Sequence, residues 1–175
     1  MLLIDADMRK PRLYSIFGVD QKPGLSDFLK ECKTPGIPSG LIRPTDVPNL
    51  FLLPAGESTS AALSLLYGNK MPDLLRQLKQ QFDVILIDTP PMLQISDARV
   101  LARMVDAVIL VLRADLTTRD AAQAAVQRFR EDGSDVLGTI LNDWNPKHAP
   151  GGYYGYGKYA GYQRYYGASQ QSRDA

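Results

Sequence analysis

Five short apolar runs recur along the chain, at Leu2 to Ile4, Leu50 to Leu53, Val84 to Ile87, Ala107 to Leu112 and Val136 to Leu141. Most are too continuous for strands with one wet face, so they predict parallel strands buried on both sides. Helical patterns lie between them. The clearest spans Met71 to Phe82, where Pro72 suits a first turn and Leu74, Leu75, Leu78 and Phe82 share one face. A second begins near Ser96, an N-cap residue type, and carries Val100, Leu101 and Met104. A third runs from about Thr118 to Asp132 and closes at Gly133. Strands alternating with helices predict an α/β layer fold with right-handed crossovers. Lys33 to Asn49, with four prolines and two glycines and no period, reads as a long surface loop.

A chain of 175 residues has room for one domain and a modest appendage. The pattern changes after Trp144, which is expected to close the core, and a boundary near residue 146 divides an α/β body (1–145) from a Gly/Tyr-rich tail (146–175). The longest unbroken apolar stretch is six residues, against the roughly 18 to 20 needed to span a bilayer. The opening MLLIDADMRK puts acids directly behind a short apolar run, unlike a secretory signal. One cysteine, Cys32, and one histidine, His148, permit neither an internal disulfide nor a Cys/His zinc cage, which fits a reducing cytoplasm. Residues 1–143 hold 16 basic against 18 acidic side chains (−2) and residues 144–175 hold four against one (+3). That asymmetry is far too small for a nucleic-acid footprint, so no nucleic-acid partner is expected.

In open α/β sheets the ligand crevice lies beyond the carboxyl ends of the strands. Two segments place acids there. In LLIDADMRKP, Asp5 and Asp7 follow the first run, with Arg9, Lys10 and Arg12 close behind; in VILIDTPP, Asp88 ends an apolar run ahead of Pro90 and Pro91. Three carboxylates at one sheet rim repel one another unless a cation sits among them, and hard oxygen ligands suit Mg²⁺ with nucleotide phosphates. The pattern predicts that Asp5, Asp7 and Asp88 gather around a common divalent ion in a phosphoryl-transfer geometry. There a carboxylate accepts the proton of an attacking hydroxyl, and basic residues steady the transferred group. Taken singly, each such aspartate is also a good turn or helix-capping residue.

Seven of the nine tyrosines, Tyr153, Tyr154, Tyr156, Tyr159, Tyr162, Tyr165 and Tyr166, fall in the tail among glycines. With no Leu, Ile, Val, Met or Phe from which to build a core, the segment reads as a tether presenting hydroxyl nucleophiles, or as a sticky low-complexity tail.

Together, LLIDADMRKP, VILIDTPP 83 positions on and the terminal tyrosine cluster resemble the bacterial tyrosine kinases (BY-kinases) of capsule and exopolysaccharide export. The resemblance extends to FGVDQKPGLSDFL, LPAGE, VLRADLTTRDA and GTILND. It implies a P-loop NTPase-like α/β fold of the deviant Walker, partition-ATPase type, three-layered with a mainly parallel sheet. The first motif corresponds to a second Walker-type acidic box and the other to Walker B. By that analogy Asp7 and Asp88 surround Mg²⁺, Asp5 and Arg9 support catalysis, Asn142 lies near the adenine of ATP, and the tail tyrosines are autophosphorylated in trans within a homo-oligomeric ring. The implied partners are a membrane-embedded polysaccharide co-polymerase or activator and a cognate tyrosine phosphatase, at the cytoplasmic face of the plasma membrane. A partition or septum-placement ATPase shares the acidic boxes but gives no reason for the tyrosine tail.

Two departures stand out. STSAALSLL lacks the Asn-Pro that the family carries ahead of its Leu pair. The family's phosphate-cradling loop, GxxxxGK[ST], precedes the first acidic box, whereas only Met1 precedes LLIDADMRKP here, and the near-match GYYGYGKY (152–159) ends in tyrosine. The expectation is a truncated product lacking its first strand, P-loop and helix, about 30 residues, with collapsed ATP affinity, little activity and unpaired sheet edges. A third reading, of a different class, is a nucleotide-incompetent interaction module whose tail binds partners or is phosphorylated by another kinase.

Overall fold

The structure, a computed structural model, describes residues 1–31 and 36–145. In chain order the elements are β1 (Leu2–Asp5), α1 (Leu13–Ile16), α2 (Leu25–Glu31), β2 (Arg43–Pro44), β3 (Phe51–Leu53), α3 (Ala62–Leu66), α4 (Lys70–Leu78), β4 (Ile85–Asp88), α5 (Asp97–Ala102), β5 (Val108–Arg113), α6 (Arg119–Glu131) and β6 (Val136–Asn142). Each of the five apolar runs becomes a strand. The three helical patterns become α4, α5 and α6, with α4 ending at Leu78 and Phe82 reached by a following turn.

The strands form a four-stranded sheet, ordered β2-β3-β1-β4, and a two-stranded sheet, β5-β6. β1 runs parallel to both β3 and β4, and only the two-residue β2 is antiparallel. The fold is α/β with a mainly parallel sheet, as the strand–helix alternation requires. The long loop read from Lys33 to Asn49 is corrected: it contains β2, and it buries Leu41 to 1% exposure.

The described residues divide into two compact units, one within 1–110 with 119–138, and one of 111–118 with 139–145. In the first, Leu2, Ile4 and Leu53 of the sheet bury against Leu25 and Leu29 of α2, Ala62 and Leu66 of α3, and Leu74 and Leu78 of α4. A smaller cluster joins Met92, Ala98 and Ala102 to Ala125 and Phe129 of α6. α5 serves both clusters, since Val100 and Leu101 belong to the larger one.

Burial on both faces holds for β1 but not for β4, β5 and β6, where side chains such as Leu86 (44%), Ile109 (48%) and Leu137 (75%) stay exposed. β4 pairs only with β1, and β5 only with β6, so each leaves one edge without a strand partner among the described residues. Trp144 is 39% exposed and does not close the core.

Candidate functional site

β1 and β4 end together. Their register pairs Asp5 with Asp88, and the Ala6 N–H donates to Asp88 O (2.9 Å), carrying the ladder one residue past the strand ends. Parallel pairing in this register brings two acids from opposite halves of the body to one rim, as the spacing requires.

Asp5 is 1% exposed, and its carboxylate closes the following turn. Oδ1 accepts the Asp7 N–H (3.2 Å), and Oδ2 accepts the N–H groups of Arg12 (3.2 Å) and Leu13 (3.1 Å). Burial pushes its carboxyl above the ordinary range; those N–H groups pull it back and the charge of Asp7 adds to the rise. Asp7 is half-buried. Its Oδ1 accepts the N–H groups of Arg9 (3.2 Å) and Lys10 (2.9 Å), and Oδ2 has no hydrogen bond among the described residues. Asp88 is open to solvent on one side, yet its carboxyl is also raised, first by the protein crowding its other side and then by the charges of Asp5 and Asp7.

The three acids therefore share one electrostatic neighbourhood, but the expectation of a common ion bound by all three is corrected. Among the described residues no three acidic, histidine or cysteine side chains are placed to hold one metal. Asp5 uses its oxygens on the backbone, so it is a turn anchor. Asp7 and Asp88 remain, and two neighbouring carboxylates suit Mg²⁺, which takes one or two protein carboxylates and completes its shell with water and phosphate.

Arg9 does not point its guanidinium at open solvent. Nε and Nη2 donate to Asp97 (2.9 and 3.2 Å), and Nη1 donates to Ser60 O (3.3 Å). Asp97 opens α5 directly after the N-cap Ser96, whose own side chain makes no capping bond. It escaped the sequence reading because an acid in a first helical turn is ordinary, and nothing local ties it to an arginine 88 positions away. A cleft of about 500 Å³ lined by Leu66, Tyr67, Arg99, Arg103 and Asp132, among others, contains none of the predicted site residues.

Asn142 is the last residue of β6 and belongs to the second unit, where its carbonyl accepts the Ala114 N–H (2.9 Å). In the same unit Thr117 Oγ1 accepts the Arg113 N–H (3.0 Å), closing a turn, and Arg113 pairs with Asp143 (3.1 Å). Cys32, His148 and the seven tail tyrosines lie outside the described residues, as does the boundary placed near 146. Among the described residues no helix is long and apolar enough to cross a membrane.

No protein-family model matches the chain. It is 33% identical over 175 residues to the putative tyrosine-protein kinase EpsB of Ralstonia solanacearum, covering 99% of this chain and 22% of EpsB. It is 34% identical over 157 residues to the putative tyrosine-protein kinase CapB of Staphylococcus aureus, covering 90% of this chain and 68% of CapB. The chain thus spans about a fifth of the longer relatives and two thirds of a shorter one. Its structure is similar to the crystal structure of the VpsO kinase domain (TM-score 0.75, 36% identity, 82% of this chain and 70% of that one). The fold alone is shared with the septum site-determining protein MinD of Pyrococcus horikoshii, complexed with Mg-ADP (TM-score 0.65, 24% identity, 86% of this chain and 61% of that one).

Proposed function

Since the chain belongs to the family of bacterial tyrosine-protein kinases, we propose that it is the acidic half of an ATP-dependent protein-tyrosine kinase domain that phosphorylates its own C-terminal tyrosine cluster. The observation carrying this reading is the register match of Asp5 and Asp88 at the ends of adjacent parallel strands, with Asp7 one turn on. Asp7 and Asp88 would hold Mg²⁺, whose charge offsets that of the phosphates. Asp5 fixes the turn that carries Asp7. In the proposed reaction a phenolic oxygen bonds to the γ-phosphorus of ATP as the bond to the β-phosphate oxygen breaks. ADP leaves, and the phenolic proton passes to a carboxylate at the rim.

The 175 residues contain no GxxxxGK[ST] loop. We propose that competence requires one, supplied by upstream sequence, and that the chain as it stands binds ATP weakly. The cytoplasmic face of a membrane, a membrane-embedded polysaccharide export partner, a ring of copies, a cognate phosphatase and control of capsule or exopolysaccharide output complete the reading. Asn142 would lie near the adenine.

Each phosphate adds about −1.5 to −2 charges, so seven would carry the segment from +3 to roughly −7 to −11. A tail that docks on an acidic rim when unmodified would then be expelled from it. The test is to express the chain extended upstream through the phosphate loop, incubate it with Mg-ATP and map phosphate by mass spectrometry. Phosphate is expected on several of Tyr153 to Tyr166 and lost in Asp88→Asn. A phosphate-free tail rejects the self-substrate role. Titration of the 175-residue chain with Mg-ATP tests the dependence on the missing loop, since tight binding contradicts it.

A further inference from the structure

Arg9 is fixed at every polar group it owns. Its guanidinium lies along the buried carboxylate of Asp97, which is 0% exposed, while 30% of the Arg9 side chain remains exposed. Its N–H holds Asp7 Oδ1, and its carbonyl accepts the Ser58 hydroxyl (2.9 Å). One residue earlier, Met8 O accepts the Thr59 N–H (2.8 Å). Segment 58–60 and the start of α5 thus grip the residue whose backbone orients Asp7.

The charges give this grip a second consequence. A guanidinium released from Asp97 stays tethered two residues from Asp7, whose Oδ2 has no hydrogen bond among the described residues, and would pair with it. It would then occupy the place of a divalent ion. Asp97 prevents this by presenting a buried carboxylate in a two-bond geometry, which leaves the Arg9–Asp97 pair neutral and the rim acids uncompensated.

We propose that Asp97 is a positioning residue, which retains Arg9 away from the acidic rim and so keeps Asp7 and Asp88 free to bind a divalent cation. This rests on the reading of Asp7 and Asp88 as the cation-binding pair. It also reassigns Arg9 from steadying the transferred phosphoryl group to bracing the turn that carries Asp7.

The test is a Mn²⁺ titration of the 175-residue chain, read by water-proton relaxation, with thermal midpoints recorded to establish folding. Asp97→Asn is expected to weaken Mn²⁺ binding about tenfold, because it frees one positive charge beside the rim. Arg9→Gln binds at least as tightly as the unaltered chain, and the double variant R9Q/D97N recovers to within about threefold of it, since the loosened charge is gone. A merely structural Asp97 would instead lower the thermal midpoint of D97N and leave Mn²⁺ binding by the folded fraction unchanged. Asp97→Ser, a second neutral replacement, carries the same expectation. Equal binding by D97N and the unaltered chain, or a double variant as weak as D97N, overturns the proposal. Failure of the unaltered chain to bind Mn²⁺, or indifference of its binding to Asp88→Asn, overturns instead the cation-site reading beneath it, and the proposal with it.

Discussion

Asp5 and Asp88 carry the same side chain at matched positions on neighbouring strands, yet their surroundings give them different work. Asp5 satisfies three N–H groups in a turn with almost no solvent. Asp5→Ala leaves those donors without their acceptor, and urea unfolding should show a loss of about 3 kcal/mol. Asp88 has a solvent-facing side and is held near like charges. Its raised carboxyl means that the folded state binds the proton more tightly than the unfolded chain, whose reference value is 3.8. The stability it contributes is fully present below that reference value and is lost as pH rises through the folded value. Asp88→Asn should therefore stabilise the chain at pH 7 by less than about 1 kcal/mol, because solvent screens the open side, and this is read as a raised thermal midpoint. The difference from the unaltered chain should vanish below pH 3.8. A variant less stable than its parent at neutral pH would contradict the charge repulsion inferred at the rim.

The helices hold the rim in place through contacts of very different tolerance. In α4, Leu78 is 0% exposed within the larger cluster, so Leu78→Ala should cost about 2 to 5 kcal/mol in chemical denaturation. Ahead of α2, a Cβ added at Gly24 would collide with the backbone of Gly56, which cannot yield as a flexible side chain does. Gly24→Ala should prevent folding or cost more than about 3 kcal/mol. Gly133 terminates α6 at φ +73° with open space around it; the Ser134 N–H reaches Phe129 O (2.9 Å) and its own N–H reaches Arg130 O (3.0 Å). Gly133→Ala meets only backbone strain there and should cost about 1 kcal/mol. Comparable losses for the two glycine variants would show that the Gly24–Gly56 approach does not constrain the fold. Lys70 adds a polar tie between helices, its Nζ donating to Leu29 O (2.9 Å) and Lys30 O (3.3 Å) at the end of α2.

Across the whole molecule the unusual feature is apolar surface on strands that the sequence marks for burial. In the first unit Ile109 and Leu137, on the paired strands β5 and β6, are 48% and 75% exposed. Exposed apolar strands with a free edge favour association. Light scattering should find the chain self-associating with concentration, and Leu137→Lys should reduce this while changing stability by about 0.5 kcal/mol or less. A strictly monomeric chain at high concentration would show that these surfaces are covered.

The apolar runs determined the strands because a continuous apolar segment has few other stable fates in water, and the alternation with helices determined the parallel α/β class. Each predicted strand lies within a residue of its observed bounds, β4 ending on Asp88 itself. The acids of the rim were legible for the same reason, since a residue just after a strand must stand at its carboxyl end. What only the tertiary structure decided is how each acid is used. Register pairs Asp5 with Asp88, burial turns Asp5 into an anchor, and a contact across 88 residues gives Arg9 to Asp97. Periodicity reports which face of a segment avoids water. It does not report which distant charge meets another, because that depends on sheet order and loop closure, and these exist only once the chain has folded.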